Sequence, residues 1–318
     1  MNFSLLRASR EVAHEIWTAC PEAPASVMPI VAEALAPHCE WWILYKGSEP
    51  FLVWPIAFDG QSVIKPPPFS YYFGPFWTPV ALEMPPSTRH VNLRTGIAVA
   101  LDALRAEYGR FEFDLPPTNN DLRPFLWWPE SSQMSGHVSV LPRYSAQLSS
   151  VSFENFETLL AGARSVRRQE FKKGLKQFRF SSSLDLSWEE VLSMYSDTLE
   201  RKGQPPNESD LESLRQLWNL TDKPFFSLMG AHDAFSGELA HVMLLIGAKQ
   251  TQNLVLSLTA PKFRRSGAAS FSMFQGIWRS FCDGSRVFDF NGANSLKGAD
   301  EKHSYGAFPA LYFRVSIS

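Results

Sequence analysis

The sequence predicts an α+β protein in two parts. Three observations point to it: where proline lies, where the charge balance changes, and where capped helices alternate with strands. Of the 23 prolines, 18 precede residue 145. Residues 1–145 hold 10 basic and 14 acidic side chains, whereas the rest of the chain holds 20 and 18. A polar stretch at 145–152 separates the parts. Since roughly 150 residues is a usual domain size, we expect domains at residues 1–148 and 149–318.

The composition is that of a folded protein and excludes several classes of function. Hydrophobic residues make up 45% and charged residues 19% of the 318 residues, so the chain is not intrinsically disordered. A net charge of -2 disfavours a non-specific DNA or RNA binder. Three cysteines without a C-x-x-C pair predict neither a disulfide framework nor a zinc site. With no signal-peptide pattern and no apolar run of about 20 residues, we expect a cytoplasmic protein without a membrane span.

The first part alternates helical and strand patterns. Apolar residues at Ile97, Leu101 and Leu104 recur at helical spacing. Prolines at 75 and 79 make the aromatic segment 69–77 a loop or an edge strand. The expected helices cover residues 27–35 and 93–107, and the expected strands cover residues 41–45, 50–58 and 111–115.

The second part has clearer helix starts. Ser187 with Glu190 forms an S-x-x-E capping box, and so does Ser209 with Glu212. Three strand patterns joined by short turns follow, and we expect them to be antiparallel neighbours. The next helix and strand complete a unit of the length that gives a parallel crossover. These strands cover residues 225–231, 239–248, 253–259 and 286–290, and the helix covers residues 268–282.

A basic, glycine-containing loop joins the third of these strands to the helix. Residues 264–269 read RRSGAA. The N–H groups at a helix N-terminus bind phosphate, glycine lets the backbone approach a ligand, and arginine supplies charge. The six letters alone also suit an ordinary exposed loop, but the position between a strand and a helix favours a phosphate site.

The order of these elements resembles the core of the GNAT acyltransferase superfamily, and the loop resembles its pyrophosphate loop for coenzyme A. Several segments are similar to the branch that holds the FemAB-like and CelD-like proteins. Residues 298–307, GADEKHSYGA, resemble that branch's G-x-x-x-F-K-x-x-F-G-G tail: Lys302 and Gly306 match, one residue is missing, and Tyr305 replaces phenylalanine. Further similar segments are 120–127 (NDLRPFLW), 142–144 (PRY), 165–168 (SVRR), 195–206 (YSDTLERKGQPP) and 287–292 (VFDFNG).

The resemblance implies two tandem GNAT-like halves, each a mixed, mostly antiparallel sheet flanked by helices. The second half would bind acetyl-CoA or a longer acyl-CoA as co-substrate, and the first, degenerate half would form the acceptor side. Members of this kind move acyl groups from CoA to amines, including nucleotide-linked amino sugars, so N-acyl transfer in polysaccharide biosynthesis is one implied role. The residues implied to hold the CoA pyrophosphate are Arg264, Arg265, Ser266, Gly267, Ala268 and Ala269.

Candidate catalytic side chains accompany this loop. Histidine titrates near neutral pH and suits removal of a proton from an attacking amine. His241 lies in an apolar strand pattern that equally suits a core histidine, and His303 equally suits a surface loop. The sequence has no G-x-S-x-G pattern and no metal-ligand spacing, so we expect direct transfer without an acyl-enzyme or a metal. The catalytic candidates are His241, His303, Tyr305 and Asn291, and the substrate-binding candidates are Arg167, Arg168, Tyr71, Tyr72 and Lys302.

The stretch 164–179 is strongly basic. Phe171, Leu175 and Phe178 recur at i, i+4 and i+7, which predicts one amphipathic helix with a cationic face. That face suits plain solvation, and it equally suits a ligand phosphate or carboxylate held by Arg167 or Arg168. Binding to a membrane surface is a third interpretation, which the near-neutral total charge disfavours.

Two other functions stay open at this point. FemAB proteins take amino acids from aminoacyl-tRNA for peptidoglycan precursors, although the small net charge here favours the CoA route. The chain equally suits a binding protein that keeps the fold without catalysis, since fold does not fix function. The sequence names neither the acceptor, the acyl chain, the general base nor the oligomeric state.

Overall fold

The chain forms two compact units. A computed structural model describes residues 2–36, 38–58, 64–131 and 136–318. The first unit runs to Arg143 and includes Leu311–Ser318, and the second unit is Tyr144–Ala310. The C-terminal segment therefore completes the unit in which the chain begins. The boundary expected at residue 148 and the acceptor role of the first domain stay predictions.

The first unit contains a four-stranded antiparallel sheet, a further strand outside that sheet, and helices. Its strands are β1 (Phe3–Ala8), β2 (Cys39–Lys46), β3 (Glu49–Ala57), β4 (Phe76–Trp77) and β5 (Phe111–Leu115), and its helices are α1 (Arg10–Ala19), α2 (Pro29–Leu35), α3 (Pro79–Leu82), α4 (Pro86–Tyr108), α5 (Arg123–Leu126) and α6 (Trp128–Ser131). Strands β1 to β4 pair antiparallel in chain order. Strand β5 pairs antiparallel with the last strand, β12 (Phe308–Ile317). The short β4 lies at the edge of its sheet, as the prolines around it predict.

Helix α4 supplies one side of the first unit's core. Ile97, Leu101 and Leu104 are all fully buried, which confirms the apolar face predicted for this helix. The helix starts at Pro86, earlier than predicted. The sequence pattern did not indicate this start, because the first two turns are polar and show no apolar period. Proline is favourable at this first helical position.

The second unit is built on a mixed sheet flanked by helices. Its strands are β6 (Val138–Ser149), which enters from the first unit, β7 (Phe178–Ser181), β8 (Phe226–Asp233), β9 (Leu239–Ala248), β10 (Thr251–Thr259) and β11 (Val287–Asp289). Its helices are α7 (Phe156–Ala161), α8 (Ser165–Gly174), α9 (Trp188–Glu200), α10 (Glu208–Trp218), α11 (Ala268–Cys282) and α12 (Leu296–His303). The strand order is β6-β11-β10-β9-β8-β7. Among the described strands in this order, only β10 and β11 pair in parallel, which confirms both the predicted antiparallel neighbours and the predicted crossover.

Strands β10 and β11 part soon after they meet. Their ladder joins Thr251–Asn253 to Val287–Asp289, whereas β10 continues to Thr259. A register shift between Leu254 and Leu256 marks a bulge against β9. Among the described residues, β10 therefore has no strand partner on its β11 side from residue 254 onward. This opening faces the region where α11 begins after a short 3₁₀ turn, Pro261–Phe263.

Helix α10 begins at a different cap from the predicted one. The side chain of Asn207 accepts the N–H of Asp210 at 2.7 Å, so the helix starts at Glu208. The predicted box at Ser209 and Glu212 is wrong, because Ser209 already lies inside the first turn. The box at Ser187 and Glu190 is confirmed, with both of its reciprocal hydrogen bonds formed.

The basic stretch 164–179 is not one helix, and its predicted apolar face is wrong. Helix α8 ends at Gly174, where an added Cβ would lie 2.5 Å from the Cβ of Phe271 on α11. Leu175 follows and is 54% exposed, and Phe178 is buried as the first residue of β7. Glycine at the last position of α8 allows the close approach of α11, which the i, i+4, i+7 pattern did not indicate.

Candidate functional site

The second unit contains a polar cavity of about 670 Å³. It lies where the end of β10 and the N-terminus of α11 meet α8, the end of α9 and the start of α12. Its lining includes five cationic side chains and two carboxylates, and no large apolar side chain. The cations are Arg167, Arg201, Lys202, Arg264 and Lys297, and the carboxylates are Glu170 and Glu301. Because cations outnumber carboxylates, the cavity attracts anionic ligands.

Gly267 caps the N-terminus of α11 at the cavity wall. Its φ of +91° lies in the left-handed region, and an added Cβ would lie 2.4 Å from the carbonyl oxygen of Glu170. The following N–H groups of Ala269 and Ser270, in the first turn, have no carbonyl within the helix to bond. The glycine therefore brings the helix start, with its free N–H groups and positive dipole end, against α8 and the cavity.

The predicted phosphate loop divides into residues that face the cavity and residues that hold the loop. Arg264, Gly267 and Ala269 line the cavity. The Arg264 guanidinium donates to the carbonyl oxygen of Asp197 at 3.2 Å. Ser266 instead shapes the turn, since its Oγ donates to the carbonyl of Phe263 at 2.6 Å and accepts the N–H of Ala268 at 3.3 Å.

The other two loop positions contribute no lining. Arg265 is exposed, and its carbonyl accepts a hydrogen bond from Lys173 at 2.9 Å. Ala268 is buried in the core beneath the loop.

Arg167 is the predicted substrate-binding residue that the structure brings to the cavity. Its guanidinium donates to Glu170 at 2.8 Å and to Ser304 Oγ at 2.7 Å, and lies 5.0 Å from the ring centre of Tyr305. Ser270 completes the network, because its Oγ donates to the same Glu170 carboxylate. Arg167 is thus held rigidly at the floor of the cavity, with part of its charge already neutralised.

Tyr305 lies behind this network. It is 2% exposed, and its hydroxyl lies 3.2 Å from Ser270 Oγ. Burial raises the pKa of Tyr305 to about 12. Any proton that Tyr305 gives to a ligand in the cavity must pass through Ser270, which lines the cavity while Tyr305 does not.

Three further substrate-binding candidates do not line the cavity. Arg168 donates to the carbonyl oxygens of Ala161 and Ala163, which closes the end of α7. Tyr71 and Tyr72 belong to the first unit, where Tyr72 has a φ of +65° and packs edge-on against Tyr312.

His241 lies beneath the cavity wall. It is fully buried, with Nδ1 2.9 Å from Thr259 Oγ1 and Nε2 3.3 Å from Ser257 Oγ. Both of these hydroxyl-bearing residues line the cavity, and His241 does not. Burial lowers the pKa of His241 to about 3, so the ring is neutral at physiological pH.

Asn291 and Lys302 hold the end of β11. Asn291 has a φ of +55°, and its Nδ2 donates to the carbonyl of Leu254 on β10 at 2.9 Å. Lys302 donates to the carbonyls of Asn291 and Gly292, the latter at 2.7 Å. Burial lowers the pKa of Lys302 to about 8. These contacts keep the two parallel strands in register at the point where they part.

His303 lies outside the cavity lining, and the described residues contain no metal-binding group. The Nδ1 of His303 lies 2.8 Å from the carbonyl of Ala307, and the residue does not line the cavity. Within the described ranges, no group of three His, Cys, Asp or Glu side chains could hold a metal ion.

Sequence reasoning missed most of the cations of the site. Arg201 and Lys202 follow α9 directly, inside segment 195–206, which carries only a resemblance and no predicted functional role. Lys297 carried no signal, since α12 has no buried residue and therefore no apolar period. These cations come from loops and helix ends far apart in sequence, and only the fold brings them together.

Comparison with solved structures fixes the fold. The crystal structure of FemX matches with a TM-score of 0.68 at 10% identity, over 98% of this chain and 96% of that one. A tandem GNAT protein from the clavulanic acid biosynthesis pathway matches with a TM-score of 0.59 at 12% identity, over 100% and 98% of the two chains. This chain has the fold of FemX and of a tandem GNAT protein. The tandem GNAT fold confirms the predicted fold class and the FemAB-like resemblance at the level of structure.

A third solved structure that matches the chain has a different name. It is the C-terminal domain of a putative lysylphosphatidylglycerol synthetase from Agrobacterium fabrum, with a TM-score of 0.56 at 10% identity, over 97% and 92% of the two chains. No protein-family model and no curated protein sequence matches the chain. In the described residues, no helix has the length and apolar character to cross a membrane.

Proposed function

We propose that this protein is an acyl-CoA-dependent N-acyltransferase that moves an acyl group from CoA directly to an amine. The observation that carries the proposal is the cationic cavity at the glycine-capped start of α11. CoA presents a pyrophosphate and a 3′-phosphate, and both suit a helix N-terminus surrounded by arginine and lysine. The likeness to a tandem GNAT protein whose description names AcCoA supports this interpretation.

The free edge of β10 suits the reacting thioester. From residue 254 onward, the β11 side of this strand offers backbone N–H groups that pair with no neighbouring strand among the described residues. An N–H group fixed by a sheet stabilises the oxyanion of a tetrahedral intermediate without reorganisation. Asn291 and Lys302 act here by holding the fork open at a constant width.

The proposal also includes the acceptor and the group that donates a proton to the leaving thiolate. An amino sugar or a nucleotide-linked amino sugar, as in polysaccharide biosynthesis, is the acceptor class we propose. Tyr305 is a candidate proton donor to the thiolate through Ser270. His303 is the weaker candidate for this role, because its Nδ1 is engaged by the Ala307 carbonyl.

An aminoacyl-tRNA-dependent transferase is the second candidate function. The likeness to FemX favours it, and so does the exposed basic surface of α8 beside the cavity. Arg164, Lys172 and Lys173 on this surface suit the phosphates of a tRNA acceptor stem. A non-catalytic ligand-binding protein is the outcome if neither donor is used.

Turnover with matched variants separates these functions. The purified chain is incubated with acetyl-CoA and a panel of amino sugars and nucleotide-linked amino sugars, and free thiol is followed. We expect thiol release with at least one amine. Arg264→Ala and Gly267→Asp should abolish it, whereas Arg265→Ala, which changes a neighbouring exposed arginine, should leave it intact.

The second donor is tested in parallel. Acylation that requires charged tRNA and ignores every acyl-CoA contradicts the proposal and supports the FemX-like function. CoA binding without turnover on any amine supports the non-catalytic alternative. Equal activity of Arg264→Ala and the wild type shows that the loop is not the donor site.

A further inference from the structure

His241 and two hydroxyls form one cross-strand cluster. In the β9–β10 ladder, His241 lies directly opposite Thr259, and Ser257 lies two residues away on the same face of β10. This register places both hydroxyls on the two nitrogens of one imidazole, at 2.9 Å from Nδ1 and 3.3 Å from Nε2. The alternation of the strand therefore builds the cluster without any help from loops.

The cluster has two openings to the same cavity. Ser257 is exposed and Thr259 is half-buried, and both line the cavity, whereas His241 has no exposed surface. Packing alone does not explain why each ring nitrogen of a core histidine lies within hydrogen-bond distance of a hydroxyl that lines the cavity. The ring is the buried middle of a path whose two ends are hydroxyls that line the cavity.

Burial decides how such a ring handles a proton. No charged group faces the imidazole closely enough to perturb it, and desolvation alone lowers its pKa to about 3. The ring therefore does not store a proton as a general base does. It retains the other property of imidazole, which is to accept a proton at one nitrogen while it releases one from the other.

We propose that His241 is a proton-relay residue of the transfer reaction, passing a proton between the cavity-facing hydroxyls of Ser257 and Thr259. This inference rests on the proposed N-acyl transfer. Because His241 acts only through the two hydroxyls, it is a positioning residue, and Ser257 and Thr259 are the groups that touch substrate.

In the relay, the proton that the amine loses is matched by the proton that the thiolate gains. The amine forms its bond to the thioester carbon and loses one proton, while the carbon–sulfur bond breaks and the thiolate gains one. The amine proton goes to Ser257 Oγ, and the Ser257 proton goes to Nε2. The Nδ1 proton goes to Thr259 Oγ1, and the Thr259 proton goes to sulfur, so that in this relay Thr259 replaces Tyr305 as the proton donor to the thiolate. The ring ends neutral as its other tautomer, and exchange of the hydroxyls with cavity water resets it. The reverse assignment of the two hydroxyls has the same balance.

A kinetic arm tests the relay with a glutamine that keeps both hydrogen bonds but cannot exchange protons. With an amine from the turnover panel, His241→Gln should lower kcat by about a hundredfold and leave the KM for acetyl-CoA unchanged. The wild type should show a solvent deuterium effect on kcat with more than one proton in flight, and His241→Gln should lose it. Ser257→Ala and Thr259→Val should resemble His241→Gln. His232→Gln and Thr251→Val, on the same sheet but away from the cavity, are the matched controls.

A spectroscopic arm needs no acceptor and uses the wild-type chain labelled with ¹⁵N-histidine. Free CoA should shift the His241 ring nitrogens, and desulfo-CoA, which lacks only the sulfur, should not. Ser257→Ala should move mainly Nε2, and Thr259→Val mainly Nδ1.

Different results contradict the relay and the proposed function. A wild type that releases no CoA with any amine contradicts the proposed function, and the spectroscopic arm then decides the relay. Full kcat in His241→Gln overturns the relay, as does an imidazolium signal in the CoA complex. Identical spectra with CoA and desulfo-CoA overturn it too, whatever the turnover assay gives.

Discussion

At the scale of single residues, Gly267 is held by two constraints at once. Its positive φ excludes most side chains, and the Glu170 carbonyl fills the place of a Cβ. Gly284 shares only the first constraint: its φ is +98°, and no atom lies within 4 Å of an added Cβ. The pair therefore separates backbone strain from steric contact.

Substitution of alanine for Gly267 and for Gly284 should lower the free energy of unfolding by different amounts. Gly284→Ala should lower the free energy of unfolding by about 1 kcal/mol, the usual cost of a left-handed alanine. Gly267→Ala should lower it by about 3 kcal/mol or more and also weaken CoA binding, because α11 must move away from α8. Urea unfolding measures both values. Equal costs at the two positions would show that the contact with Glu170 does not constrain the site.

Lys302 makes the protein's stability depend on pH in the alkaline range. Burial lowers its folded-state pKa to about 8, below the unfolded value of 10.5. Between these values the unfolded chain binds more protons than the folded chain, so the free energy of unfolding should rise from pH 8 to pH 10.5. Lys302→Met should lose this rise. A chemical-shift titration of Lys302 Cε with a midpoint near 10.5 would contradict the assignment.

At the scale of secondary-structure elements, the start of α10 offers a direct choice between two caps. Asn207 makes the observed cap, and Ser209 is the residue that the S-x-x-E pattern selects. Asn207→Ala should cost about 1 kcal/mol of stability. Ser209→Ala, inside the first turn, should cost close to nothing. Thermal unfolding of the two variants decides, and a larger loss for Ser209→Ala would contradict the observed cap.

Local patterns predicted the elements whose partners are near in sequence. The apolar period of α4, the cap of α9 and the crossover around α11 each depend on residues within one element or its neighbours. Strand β6 was missed because Pro142 and its serines look like a linker. Its polar side chains Ser145 and Gln147 donate hydrogen bonds to the buried carboxylate of Asp289, far along the chain.

The same distinction explains the site. The loop at 264–269 was predictable because glycine and arginine stand together between a strand and a helix. The relay geometry of His241 depends on its register opposite Thr259, and a one-residue slip would turn the ring to the other face. The sequence therefore allowed His241 as a candidate without giving its two partners.

At the scale of the whole molecule, the chain ends in the unit in which it starts. Strand β12 pairs with β5, and its Phe313, Val315 and Ile317 belong to the first unit's core. An ion pair between the buried Asp114 and the half-buried Arg314, at 2.8 Å, joins the same two strands. The first unit is thus complete only after the second has been synthesised.

Removal of residues 311–318 should therefore unfold the first unit. Loss of a single buried phenylalanine costs about 3–5 kcal/mol, and a domain is stable by only about 5–15 kcal/mol. Tryptophan fluorescence is a suitable readout, because most of the 10 tryptophans precede residue 144. Leu311→Ala, on the exposed side of β12, is the control and should have a small effect. A truncated chain with the emission and urea midpoint of the wild type would contradict this role of β12.

The central claim is that CoA binds at the start of α11, and thermal unfolding with acetyl-CoA tests it most directly. A ligand that binds only the folded state adds about 2.7 kcal/mol at a hundredfold excess over Kd. We predict a saturable rise in Tm that Arg265→Ala keeps and Arg264→Ala loses. No rise with acetyl-CoA, or an equal rise in both variants, would contradict the donor site.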